Sequence, residues 1–362
     1  MKLVADSGVL IVGPPVSEVP ALAVLEVSGA VLEWTVDDPA GAAATRMTVT
    51  DVVAADWLWR VVGPAGHAAI VSGAKVTDVD FLSEALEPLR RLAIGYWLRR
   101  WWPQSSRDGI VRLDHAVLDG ELALLVSAAQ EFFTEDTLDS DVEGLLAPHQ
   151  MALQALGRGG DPRVVELVRA CTELADEAGA WSAELAVPLS VSSGSRDDYA
   201  LAAGAEGDRA RGAIARGGGS VDWVAVPPGM FDAADHTIDW SIVAADSSVF
   251  ATVRVALTGE SPAGGIDVRL RCGEVSGTGV LDANGTAALT LAGPDGRQLT
   301  ENRAWDHDWA ATTVTVGPDR PDTDFSEAQA LRQRIREVAR ARLANPGSDA
   351  FLAEIVAAES DY

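Results

Sequence analysis

Residues 266–272 read Ile266-Asp267-Val268-Arg269-Leu270-Arg271-Cys272, with an apolar side chain at every second position and charges between. That period belongs to a half-buried strand, one face dry and one wet, in an antiparallel sheet. Val249, Ala251, Val253, Val255 and Leu257 repeat it, and so do Ile238, Trp240 and Ile242. Gly264-Gly265, Asp282-Ala283-Asn284-Gly285 and Pro294-Asp295-Gly296 supply turns. Several short strands at this spacing predict an antiparallel β-sandwich or barrel over 181–317.

Outside that region the period changes. Over 76–180, Leu82, Leu86, Leu89, Ala93 and Tyr96 recur at helical spacing, and Pro103 ends the helix. Asp114 to Phe133 predicts a second helix and Val142 to Leu156 a third. Asp161-Pro162 opens a fourth with an acidic cap and proline in the first turn. Short loops between four helices suggest a bundle, with a domain boundary near Gly179 to Trp181. Upstream, 1–75 reads as strand-rich: Val9 to Val12, Ala21 to Val27 and Ala30 to Val36 are short apolar runs. A helix is expected from Asp51 to Val62, stopped by Gly63-Pro64. Downstream, 325–362 predicts a helical tail striped by Phe325, Ala328, Leu331, Ile335 and Val338 and broken at Asn345-Pro346-Gly347. Arg196 to Ser220 is rich in glycine and reads as a flexible stretch. The expected class is α+β multidomain: a strand-rich N-terminal part, a helical middle, a β-sandwich and a helical C-terminal tail.

The run Gly279-Val280-Leu281-Asp282-Ala283-Asn284-Gly285-Thr286-Ala287-Ala288-Leu289 ends a strand in an Asn-Gly turn and returns with alternating apolar residues. In this, 249–316 resembles a prealbumin-like or immunoglobulin-like sandwich module. The immunoglobulin cysteine pair is missing, since Cys272 alone falls in the module. The resemblance therefore implies architecture and no activity.

The chain has 362 residues, long enough for more than one core, and 48% of them are hydrophobic, which excludes global disorder. Its 54 acidic against 28 basic side chains give a net charge of −26. Such a field repels nucleic acid and suits partners with basic or mixed surfaces. Lysine occurs only at Lys2 and Lys75; the other basic residues are Arg, and with abundant Ala, Gly and Val this is the composition of a GC-rich bacterial genome. Cys171 and Cys272 read as two buried thiols rather than a disulfide framework. No apolar run approaches a membrane span or a signal-peptide core, so a cytoplasmic location is expected.

Chemical signals are sparse. His67, His115, His149, His236 and His307 lie far apart, without metal-ligand spacing. Asp139-Ser140-Asp141-Val142-Glu143-Gly144 begins like a calcium loop, but Gln150 stands where the closing Glu belongs. No cofactor and no metal is expected. Trp305-Asp306-His307-Asp308-Trp309 reads as a strand, with two Trp packed inward and the acids on one face. The strongest anomaly is Arg90, Arg91, Arg99, Arg100, Arg107 and Arg112 interleaved with Tyr96, Trp97, Trp101 and Trp102. Arg and Trp together suit cation–π contacts and interface hot spots. Internal pairing with the acidic residues that follow competes with partner binding there. Partner-binding candidates are therefore Arg90, Arg91, Trp97, Arg99, Arg100, Trp101 and Trp102, with Leu331 and Ile335 in the tail. The expected function is that of a non-catalytic accessory or scaffold subunit of a bacterial cytosolic multiprotein system, regulatory or defence-related, acting by protein–protein binding. The alternatives are a hydrolase using Asp306, His307 or Asp308, and a carbohydrate- or ligand-binding sandwich using Trp305 or Trp309.

Overall fold

In a computed structural model, the residues described are 3–6, 9–72, 80–130, 132–133, 139–181, 212–245, 248–259, 261–320 and 325–360. They build a mixed fold of α-helices and three antiparallel sheets. The chain divides into two compact units, one of Met1–Trp102, Val111–Ala186 and Ala330–Tyr362, the other of Pro103–Ile110 and Val187–Gln329.

The first unit opens with β1 (Leu3–Asp6), β2 (Val9–Val12), β3 (Leu22–Val27), β4 (Ala30–Thr35) and β5 (Arg46–Val49), ordered β1-β2-β5-β4-β3. Alternation decides its faces: Ala23, Leu25, Leu32, Trp34 and Met47 are buried, while the residues between them are more exposed. The β3–β4 turn needs Gly29, at φ 70°, because a Cβ there would lie 2.6 Å from the amide of Ala55.

Helices α1 (Trp59–Val71), α2 (Ser83–Trp101), α3 (His115–Gln130), α4 (Asp139–Leu146), α5 (Gln150–Leu156) and α6 (Pro162–Ala178) follow. α2 lies along β3, and α3 touches α2, α4, α5 and α6. Caps explain two boundaries. The Asp114 carboxylate accepts from the amides of Ala116 and Val117 at 2.8 and 3.2 Å. Asp161 accepts from the amide of Arg163, with Pro162 next to it, and α6 ends at Gly179 with φ 66°.

Several expectations are corrected. The helix expected over Asp51 to Val62 is a turn, a 3-10 segment at Asp56–Leu58 and then the short first part of α1, which breaks at Gly63 as expected; a second helical stretch runs on from Pro64 to Val71. Gly63 does leave helical geometry (φ 71°, ψ 167°), but Pro64 restarts the helix, a position proline favours. The helix expected over Val142 to Leu156 is split at Ala147–His149, where Pro148 interrupts it.

The second unit holds β6 (Ala215–Gly219), β7 (Ile238–Ala245), β8 (Ser248–Val255), β9 (Asp267–Cys272), β10 (Val275–Val280), β11 (Thr286–Thr290), α7 (Glu301–Asp306) and β12 (Thr313–Val316). Two sheets result, ordered β11-β8-β7-β6 and β10-β9-β12. One apolar core draws on both: Ile238, Ile242, Ala251 and Val253 from the first, Val268, Leu270 and Cys272 from the second. Asp282 closes the turn after β10 by accepting from the amides of Asn284 and Thr286, both at 2.9 Å, and Gly285 takes φ 73°. The strands on either side of this turn belong to different sheets. A Cβ at Gly277 would lie 2.8 Å from Leu291, and one at Gly279 2.5 Å from Leu289, so glycine in β10 makes room for leucines arriving from the other sheet.

Part of the stretch read as flexible is strand β6, paired with β7. Gly217 is required there, since a Cβ would meet the Trp240 ring at 2.7 Å. The remainder, 196–211, lies outside the described residues. Trp305-Asp306 is the end of α7, a helix and not the expected strand. Trp305 is consequently exposed while Trp309 is buried.

After these come α8 (Phe325–Ala344) and α9 (Leu352–Ser360), which from Ala330 onward belong to the first unit and are separated at Asn345-Pro346-Gly347 as expected.

Candidate interaction surface

The Arg and Trp side chains of α2 point in several directions. Trp97 is buried toward the sheet, and its indole N–H donates to the Pro20 carbonyl at 2.6 Å. Arg90 is buried within 3.6 Å of Asp349. Arg91 pairs with Glu121, donates to the Ala350 carbonyl, and stacks 5.2 Å from the centre of the Phe351 ring. Arg99 reaches the buried Asp119 carboxylate at 3.1 Å. Arg100 lies 4.1 Å over the ring of Trp101, both half-buried. The indole of Trp102 donates to the Val111 carbonyl at 2.9 Å. Arg107 belongs to the second unit and donates to the His236 carbonyl. Arg90, Arg91 and Arg99 thus contact the tail or α3, and Trp97 the chain just ahead of β3.

The tail completes this network. Ile335 is buried and Leu331 half-buried; Arg334 meets Asp37 at 2.8 Å and the Ser17 hydroxyl at 3.1 Å. Arg342 grips both oxygens of Glu354, at 2.6 and 2.7 Å, and reaches Asp349 at 3.3 Å. Burial opposes the Arg342 charge, yet Glu354 and Asp349 outweigh it and raise its pKa. Glu354 is fully buried and also accepts from the Phe351 amide at 2.9 Å. Burial pushes the Glu121 carboxyl up, opposed by the Leu352 amide and Arg91. The tail therefore docks on its own body through Arg334 with Asp37, Arg90 with Asp349 and the Leu352 amide on Glu121, while Arg342 with Glu354 ties the tail to itself, a placement that one stripe of apolar residues could not specify.

A different surface stands out on α1. Val61, Val62 and Ile70 form its buried side. Its exposed residues are Trp59, Pro64, Ala65, Ala68 and Val71, and every one is apolar. A surface helix ordinarily turns charge outward, as α6 does with Arg163, Glu166, Arg169, Glu173 and Asp176. Around α1 the apolar exposure continues. Trp59 is 48% exposed, Val71 57%, Val53 in the preceding turn 88%, and Leu82, whose amide donates to the Val61 carbonyl, 53%. The Arg60 guanidinium stacks 5.4 Å from the Trp59 ring and 5.6 Å from Phe132, and donates to the Phe132 carbonyl at 2.7 Å. It holds one side of Trp59 in place. Sequence reading missed this surface because it assigned no helix after Gly63-Pro64. The available signal was the run from Trp57 to Val71, in which Arg60 is the sole residue with a permanent charge.

No family model, no curated protein and no solved structure matches the chain.

The remaining chemical candidates have local partners. Asp306 closes α7; the His307 ring meets Trp309 edge-on at 4.6 Å; Asp308 accepts from the Ala310 amide. Asp139–Gly144 forms the first turns of α4. Among the described residues, no group of three or more His, Cys, Asp or Glu is placed to hold a metal ion. The buried Asp119 carboxylate, besides Arg99, takes the His149 ring at 2.9 Å. Asp232 accepts from the hydroxyls of Ser105 and Ser106 and the amides of Ser106 and Ala234, pinning residues 105–106 within the second unit. Both cysteines are free and buried, and burial, with the charge of Glu121, pushes the Cys171 thiol up to about 12. No described helix is long and apolar enough to cross a membrane.

Proposed function

We propose that this chain is a non-catalytic accessory or scaffold subunit of a bacterial cytosolic multiprotein system, regulatory or defence-related, that works by binding another protein. The observation that carries the reading is α1, two short helical stretches on either side of Gly63 whose exposed residues are all apolar. Exposed apolar ground of this kind is what protein-binding surfaces present. We further propose that the two sheets of the second unit form a sandwich of prealbumin-like or immunoglobulin-like kind; their shared core supports it. That module then acts as a spacer rather than as the binding element.

The test is site-specific photo-crosslinking in the producing bacterium. A benzophenone amino acid at position 53, 59 or 71 is expected to capture one and the same protein, and the same probe at Val165, exposed on α6, is expected not to. Absence of adducts at 53, 59 and 71, or an identical set at 165, would sink the reading. A second reading rests on Trp305, 58% exposed on α7. An exposed indole suits stacking on a sugar face. A glycan screen in which Trp305→Ala removes binding would favour this ligand-binding reading.

A further inference from the structure

We propose that the α1 surface accepts a segment of another protein that carries apolar side chains flanked by Lys and Arg, and not a second copy of this chain. The inference rests on the protein-binding reading above and adds the chemistry of the partner.

The apolar ground is set among acids. Asp51 precedes Val53 and holds its turn, accepting from the amides of Val53 and Ala54 at 2.8 and 3.2 Å. Asp80 and Glu84 flank Leu82, and all three of these acids are exposed. Arg60, the cation among these described residues, has its guanidinium turned to Trp59 and Phe132. A partner that covers Val53 or Leu82 therefore brings its rim against carboxylates. Basic side chains there gain attraction, and acidic ones meet like charge. A second copy would bring the same acids and a second net charge of −26, so self-association is the disfavoured outcome. An amphipathic segment with a basic rim supplies both the apolar contact and the charge.

The probes are two fluorescent synthetic peptides of equal length and helical pattern, one of Leu and Lys, the other of Leu and Glu. Binding to the full chain is followed by anisotropy. The Leu/Lys peptide is expected to bind and the Leu/Glu peptide not. Trp59→Ser with Val71→Ser is expected to weaken binding about tenfold, since it removes two large apolar contacts. Asp80→Asn with Glu84→Gln is expected to weaken it about threefold and to flatten its salt dependence, as exposed charges do. Melting curves check that each variant folds; Val71→Ser alone serves if the pair does not. Equal binding of both peptides, or binding that ignores the Trp59 and Val71 changes, overturns the proposal. So does a dimer in sedimentation that Trp59→Ser disperses. If position 59 still captures a protein in cells while Asp80→Asn with Glu84→Gln leaves that capture unchanged, the binding reading stands and this inference alone falls. If position 59 captures nothing, the reading beneath it falls.

Discussion

The ring of Phe351 lies over Gly95: a Cβ on that glycine would stand 2.7 Å from the ring's Cζ. Helix α2 thus gives up a side chain in its middle so that the chain can close on itself 256 residues later. The relationship makes Gly95 a size sensor for tail docking. Gly95→Ala is expected to cost about 1–3 kcal/mol by overpacking, partly offset by the helix preference of alanine. Gly144→Ala, in α4 with open space around it, is expected to add about 0.5–1 kcal/mol instead. Urea denaturation of both variants checks the opposite signs; a stabilised Gly95→Ala would mean that Phe351 does not rest there.

Arg342 and Glu354 form the most enclosed ion pair described, with the glutamate fully buried. Removing the arginine leaves that carboxylate in a low-dielectric site. Arg342→Met is expected to destabilise by about 3–5 kcal/mol, while Arg342→Met with Glu354→Met recovers most of the loss. A double-mutant cycle in denaturant measures the coupling, and independent effects of the two changes would contradict the pairing.

Ile335 is buried while Leu331 is half-buried, one turn away on α8. Ile335→Ala is expected to cost about 2–5 kcal/mol and Leu331→Ala about 1 kcal/mol. Protease cleavage within 325–344 is expected to rise in the same order. Equal and negligible effects would show that the tail is not docked by this face.

The Asp232 carboxyl is held below its usual 3.8: burial pushes it up, but the Ser105 hydroxyl, the Ala234 amide and the Ser106 hydroxyl and amide outweigh burial. With the folded value below the unfolded one, the unfolded chain binds more protons as pH falls. This contribution is therefore complete above 3.8 and is lost as pH drops through the folded value. Asp232→Asn turns an amide toward the donors of Ser106 and is expected to cost about 1–3 kcal/mol at pH 7. Denaturation at pH 7 and pH 3 should find the gap between variant and parent narrowed in acid. A gap independent of pH would remove Asp232 from the acid response.

Local periods were the legible part of the fold. β7, β8 and β9 fall where alternation is strictest, and α6 begins and ends at its proline and glycine signals. Trp305 was misread because Trp-Asp-His-Asp-Trp alternates in letters, while six residues are too few to show a helical period. Gly63-Pro64 was read as a stop, and Gly63 does leave helical geometry; the pair does not say that a second helical stretch begins at Pro64. The ionic contacts of the tail were illegible for another reason. Arg169 with Glu166 and Glu173 sits at helical spacing and can be read locally. Arg90 with Asp349 joins residues that only the folded chain brings together. The α1 surface needed burial itself, since an apolar run does not say which of its faces will be left outside.

The division of the chain into units has a consequence for synthesis. The first unit is discontinuous, taking in Met1–Trp102, Val111–Ala186 and Ala330–Tyr362. A ribosome has made the sheet, α2, α3 and all of the second unit before Phe351 emerges. Until then the floor at Gly95 and the carboxylate of Glu121 have no cover. The nascent chain thus carries an open seam through most of its translation, and the apolar part of that seam is where a holding chaperone would engage. The second unit is continuous apart from Pro103–Ile110, which is made first. It is free to close while the seam is still open.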